Sequence, residues 1–167
     1  LVIDIHSDFI KAGAEVIVTN TFTCRKKRLK QNNIEEKFEE LNRKAGELAL
    51  EVKKKYPNVL VAAGLPPQNL TYEADDRDEA EIIKDFNDQA KILDKYIDFF
   101  YFDVLSSIKE IKSAILAVKE FNKPYLIGAH ISEGTTLPSG EKISNIKGIV
   151  DDKLLGIILA CVSPENF

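Results

Sequence analysis

The sequence predicts an α/β fold: a partial (β/α)8 barrel, or a sheet like it, with about five parallel strands alternating with helices. Three observations carry that expectation. Five short runs are almost continuously apolar rather than alternating, as in strands buried on both faces. Amphipathic helical patterns fill most of the gaps between them. The runs also begin about 35 residues apart, a rhythm that would place eight units in about 280 residues, near the ~250 usual for a closed barrel. A five-stranded open sheet of the flavodoxin type has the same counts, and spacing alone does not separate the two.

In chain order, a short helical pattern over 4–11 places His6 at a surface or helix end. "EVIVTNTF" (15–22) is the first strand run. "CRKKRLK" (24–30) is the one basic cluster, and because an acidic helix follows it reads as a solvated loop. Over 33–55, Ile34, Phe38, Leu41, Ala45, Leu48 and Val52 form one apolar stripe, with Asn33 as N-cap and Glu36 three residues on. "NVLVAAG" (58–64) is the second strand. The helix over 77–95 carries Ala80, Ile83, Phe86, Ala90 and Leu93 on one face. "IDFFYFDV" (97–104) is the third strand, followed by a helix over 107–121 with Ser107 and Glu110 as a capping box. "PYLIGAHI" (124–131) and, after a longer loop, "LGIILACV" (155–162) complete the set. Pro57 and Pro124 fall where helices have ended and strands begin.

The 167 residues fit one domain, 1–167, large enough to bury a real core. A net charge of −4 gives no electrostatic footprint for nucleic acid or an anionic membrane. Two distant cysteines, Cys24 and Cys161, do not make a disulfide framework, so a cytoplasmic setting is the default. No glycine-rich phosphate loop follows any strand, and no C-x-x-C or H-E-x-x-H metal motif is present.

In parallel α/β folds the chemistry gathers at the carboxyl ends of the strands. Those ends carry Thr19, Asn20, Thr21 and Phe22, then Gly64 with Pro66 and Pro67, then Asp103, His130, and Cys161 with Ser163 and Pro164. Each has a plain structural reading beside the chemical one. Cys161 could be strand packing or a thiolate ligand, and His130 a satisfied structural histidine or a base. Asp103 could bind a substrate amine or cap the next helix, and the "TNTF" turn could contact substrate or simply turn. Cys24 has no assigned role.

Several segments resemble, in order, the homocysteine S-methyltransferase family. "IHSDFIKAGAEVIVTNTF" (5–22) is similar to its signature of a histidine, an aromatic, A-G-A, a short strand and T-N-T-F. "LNRKAGELA" (41–49), "VAAGLPPQN" (61–69), "IDFFYFDVLSSIKEIKSAILAVKE" (97–120), "KPYLIGAHISEGTTLPSGEKI" (123–143) and "GIILACVSPENF" (156–167) resemble its successive units. The resemblance implies a (β/α)8 barrel and a zinc ion held by three cysteines, which binds the thiolate of homocysteine while a donor transfers its methyl group. Family donors include betaine, S-methylmethionine, S-adenosylmethionine and a methylated cobalamin. Carried over by position, Cys161 matches the first zinc cysteine. Asp103 stands where the family has the glutamate for the homocysteine amino group, and Thr19, Asn20 and Thr21 match its T-N-T.

The departures shape the expectation. The family's first strand and its later Gly-Gly-Cys-Cys pair have no counterpart in residues 1–167. Glu-Thr has become Asp103-Val104, and the asparagine before the cysteine is Ala160. A single thiolate does not build the three-ligand site of catalytic zinc. The expectation is therefore a methyltransferase seen as a fragment that is inactive alone, with exposed sheet edges. The alternative is a divergent, non-catalytic barrel homologue that binds a small molecule or a partner.

Overall fold

The computed structural model describes residues 1–131 and 134–163. It contains ten principal elements: α1 (Val2–Lys11), β1 (Val16–Val18), α2 (Lys26–Gln31), α3 (Phe38–Lys55), β2 (Leu60–Leu65), α4 (Glu79–Leu93), β3 (Phe99–Leu105), α5 (Ile108–Val118), β4 (Tyr125–His130) and β5 (Leu154–Ala160). All strand pairs are parallel, and the spatial order β1-β2-β3-β4-β5 follows the sequence without reversal. A flavodoxin-type sheet reverses order at a switch point, whereas a barrel adds each strand beside the last. The strand order thus decides what spacing left open. No helix among the described residues is long and apolar enough to cross a membrane.

The register assigns each strand residue to one of two faces. Ile17, Val61, Ala63, Leu65, Phe100, Phe102, Ile127 and Ala129 point to the helices, and each is 3% exposed or less. Against them pack Ala49 and Val52 of α3, Ile82, Phe86, Ala90 and Leu93 of α4, and Ile111, Ala114 and Val118 of α5. The α4 stripe therefore runs through Ile82, not through Ala80, which is exposed, or Ile83, which is only partly buried. The opposite face carries small residues, Ala62, Gly64, Gly128 and Ala160, with Tyr101 and His130 among them. Tyr101 fits because Gly128 has no side chain: a Cβ there would lie 2.8 Å from Tyr101 Oη and 2.9 Å from Phe102 O.

Three local expectations are corrected. The basic cluster is not a solvated loop: Lys26–Gln31 is helical, with Leu29 and Arg25 buried. Long basic side chains keep their heads in water while their stems cover apolar surface. Asn33 is not an N-cap either, since it takes a left-handed conformation (φ 55°) after α2, a place asparagine tolerates. A short 3-10 turn over Glu35–Lys37 then leads into α3. His6 is half-buried, and its Nε2 finds no partner among the described residues.

The Ser107–Glu110 capping box forms at the start of α5. Ser107 Oγ accepts from Glu110 N at 3.1 Å, while Glu110 Oε2 accepts from Ser106 N at 3.2 Å. A second carboxylate arrives from the loop after β4, where Glu141 Oε2 accepts from Ile108 N at 3.0 Å and Ser139 Oγ at 2.8 Å. The Ser-Gly-Glu turn of that loop thus satisfies one of the orphan amides at the start of α5.

Candidate functional site at the carboxyl ends of the strands

Beyond β1 the chain turns through Thr19, Asn20 and Thr21. Both threonines are buried, and their hydroxyls stitch this turn to β2. Gly64 N donates to Thr19 Oγ1 at 3.0 Å, and Thr21 Oγ1 donates to Gly64 O at 2.6 Å. The two hydroxyl oxygens lie 2.9 Å apart, so the remaining proton of Thr19 bridges them. Asn20, between them, is exposed.

A buried amide relay lies behind this turn. Gln68 Nε2 donates to Gln89 Oε1 at 3.1 Å, and Gln89 Nε2 donates to Asn42 Oδ1 at 2.9 Å and Thr21 O at 3.3 Å. Asn42 Nδ2 donates to Cys24 O at 3.0 Å. The relay fastens the loops after β1 and β2 to α3 and α4. Cys24 belongs to this scaffold, and burial pushes its thiol above the usual range.

The third strand is bent where Asp103 stands. Phe102 pairs with Ile127 and Leu105 with Ala129, so β3 carries one residue more than β4 across this interval. That bulge includes Asp103 and Val104, and it re-aims the strand end as bulges do beside active sites. The Tyr101 hydroxyl lies beside the Asp103 carboxyl on the same face and favours its charged form. Burial pushes the Asp103 carboxyl above its usual range, and the Tyr101 hydroxyl offsets part of that. Burial, with the neighbouring charge of Asp103, likewise pushes the Tyr101 phenol up.

His130 ends β4, and its Nδ1 lies 3.2 Å from Ala160 O. A carbonyl only accepts, so that nitrogen carries a proton. Tyr72, from the loop after β2, sets its ring 4.8 Å from the imidazole. Its hydroxyl donates to Cys161 Sγ at 3.4 Å. The bond to Cys161, followed by the thiolate's charge, holds the Tyr72 phenol above its usual range. The thiol itself is exposed.

Of the predicted residues, the strand ends therefore bring Asp103, His130 and Cys161 to one mouth, while Thr19 and Thr21 brace its wall. Sequence reasoning missed Tyr72 and Tyr101, which link these residues. Pro164, expected in the turn after Cys161, lies outside the described residues. Backbone strain marks the same mouth. Five described non-glycine residues have positive φ, and two are asparagines; the others are Tyr72 (68°), Val104 (60°) and Cys161 (55°). For a β-branched valine this is an outlier, and such strain concentrates at functional sites.

Zinc chemistry suits an exposed thiol at a barrel mouth. Among the described residues, however, no three histidine, cysteine, aspartate or glutamate side chains are gathered to hold a metal ion. Asp103 is engaged by Tyr101 and His130 Nδ1 by Ala160 O. Cys161 fits as one ligand, and the described residues do not complete the set.

Comparison with known proteins adds the following. The family described as homocysteine S-methyltransferase matches residues 1–167. The S-methylmethionine–homocysteine S-methyltransferase of Pongo abelii is 33% identical over 129 residues, covering 77% of this chain and 33% of the relative. The metallated homocysteine methyltransferase MmuM from Escherichia coli superposes with a TM-score of 0.85 at 17% identity, covering 98% of this chain and 64% of that one. Its apo form gives a TM-score of 0.75 at 16% identity. At these identities the likeness establishes the fold, five successive units of a (β/α)8 barrel. The chain spans a third of the length of the Pongo relative and under two thirds of the E. coli enzyme.

Proposed function

The chain belongs to the homocysteine S-methyltransferase family, and on that premise we propose that the full-length protein methylates the thiol of homocysteine to give methionine. The observation that carries the reading is electrostatic. The charges of Asp103 and, more weakly, of Cys161 both push the Tyr101 phenol up, which supports a reading with an amine site and a thiolate site at one mouth.

Asp103 binds the substrate ammonium. Burial raises the Asp103 carboxyl, and a cation arriving beside it favours the charged form, with the Tyr101 hydroxyl acting in the same direction. Asn20 offers its exposed amide at the rim, between two threonines whose own hydroxyls hold the wall. Cys161 would supply one thiolate of a zinc centre, and the described residues do not provide the others. When bound, zinc lowers the pKa of a thiol and holds a nucleophilic sulfur at neutral pH. In the transfer itself, the substrate sulfur forms a bond to the donor's methyl carbon. The donor's own bond to that carbon breaks, and its electron pair stays with the donor. With a sulfonium donor the leaving group is a neutral thioether, and the thiol proton goes to solvent. S-methylmethionine, the donor in the Pongo relative's name, is the first to assay. Residues 1–167 alone are expected not to turn over, because the described residues offer one zinc ligand where three are needed. A cytoplasmic setting fits the free thiols.

The test is methionine formation by the full-length protein from homocysteine with S-methylmethionine, betaine or S-adenosylmethionine. Asp103→Asn is expected to raise KM for homocysteine by about tenfold or more, the scale of a lost charge-assisted bond. No product with any donor would overturn the reading. So would an Asp103→Asn protein with unchanged KM.

A further inference from the structure

Between the loops after β1 and β2 lies a cavity of about 310 Å³ that the methyl-transfer reading leaves unused. Phe22, Thr23, Arg25, Arg28, Asn69 and Thr71 line it. Arg25 is 7% exposed, and its guanidinium donates to Phe22 O at 2.9 Å and to Thr71 Oγ1 at 3.1 Å. Both acceptors are neutral, and its Nε has no acceptor among the described residues.

A buried charge is costly unless it is paired. Here the nearby carboxylates are taken by other cations. Asp85 and Asp88 pair with Lys26, and Asp75 and Asp85 with Arg77. Arg28 reaches Gln31 Oε1 at 3.4 Å, and Lys27 is bonded to Asn69 Oδ1. Two guanidiniums therefore face one cavity with no carboxylate partner among the described residues. Burial and the charge of Arg28 both hold the Arg25 pKa below its ordinary value, as expected for a cation missing its counter-charge. Thr71 Oγ1 accepts from Arg25, which leaves its proton to offer.

We propose that this cavity binds an oxyanion, the phosphate or carboxylate group of a small molecule, between Arg25 and Arg28 with Thr71 as a neutral donor. Planar guanidinium forks match the oxygens of such a group. The apolar part of the ligand rests on Phe22, whose ring already lies 5.4 Å from the Arg25 guanidinium carbon. Thr71 adjoins Tyr72, which contacts Cys161, so the anion sits one residue from the mouth. Free inorganic phosphate and the carboxylate of an amino-acid substrate both have that chemistry. The site stands whether or not the protein methylates a thiol.

The experiment titrates inorganic phosphate into the full-length protein at low salt while amide and arginine side-chain resonances are followed. Saturable shifts are expected at Thr71 and Arg25, with a midpoint of about 1–10 mM that rises with added salt. Arg28→Gln, on an exposed helix surface, should raise the midpoint about fivefold, and Arg25→Gln more. If Arg25→Gln does not fold, Arg28→Gln decides alone. No saturable shift below about 100 mM, or a midpoint unchanged by Arg28→Gln, overturns the proposal. A second arm replaces phosphate with S-methylmethionine. Shifts at the same resonances that phosphate competes away identify a substrate carboxylate; phosphate binding without competition identifies the free anion. Either result upholds the site.

Discussion

Strands β3 and β5 have the same length and equally apolar sequences, "FFYFDVL" and "LLGIILA", yet opposite surroundings. In β3 five of seven residues are buried. In β5 none is, and Leu155, Ile157 and Ile158 are 57%, 44% and 43% exposed. Both strands deliver a reactive residue beside a left-handed backbone at their carboxyl end, Asp103 before Val104 and Cys161 itself. Apolar continuity therefore reports the surroundings for which a strand is suited. It does not report what this stretch of chain provides.

The sharpest way to break the comparison is a matched truncation. Phe102→Ala in β3 should cost about 3–5 kcal/mol, as for a fully buried aromatic. Ile157→Ala in β5 should cost under ~1 kcal/mol, because its side chain is already half in water. Urea denaturation of the two variants measures both; similar losses would mean that β5 is covered in solution.

The helix that covers β3 supplies a second test. Glu110 is fully buried, and burial pushes its carboxyl up to about 7. An acid whose folded pKa is raised binds its proton more tightly in the native state, so stability falls as pH rises from about 4.5 to about 7. Glu110→Gln keeps the cap and removes the proton. It should flatten that decline, a difference of up to about 3 kcal/mol at pH 8 relative to pH 4. Parallel pH profiles would refute the assignment.

A smaller effect is expected at Gly128, where Tyr101 leaves no room for a Cβ. Gly128→Ala should cost about 1–3 kcal/mol, and Tyr101→Phe should recover only part, because Phe102 O crowds the same point. Full recovery would show that the hydroxyl alone sets the limit. The smallest change in stability, within about 0.5 kcal/mol, is expected for Ile158→Lys. Its effect should appear instead as less self-association of residues 1–167 in sedimentation, since a charge blunts an open edge. Unchanged association would place the sticky surface elsewhere, with Leu1 and, in α1, Ile5 and Phe9 the next candidates.

The same contrast explains what could be read without coordinates. Long apolar runs and stripes marked the strands and the three longest helices, and Ser107 with Glu110 marked the start of α5. Helix α2 escaped because Leu29 is its one buried side chain and charge outweighs apolar pattern over six residues. Asn42 and Gln89 escaped because polar residues within helical stripes look like solvent positions until a partner is visible. Tyr72 and Tyr101 escaped for the opposite reason, since an aromatic near a strand reads as core. The bulge at Asp103 left no pattern at all: one extra residue shifts register without changing composition. The mouth was legible as a list of strand ends, while its internal wiring depends on contacts between residues far apart in sequence.

The uninterrupted strand order has a consequence for synthesis. Each strand pairs with the one made just before it, so a new βα unit meets its template as it leaves the ribosome. At about 5–20 residues per second, a unit of roughly 35 residues emerges every few seconds, far slower than helix or hairpin formation. Assembly can run in chain order, with each unit's helix shielding the strands already in place.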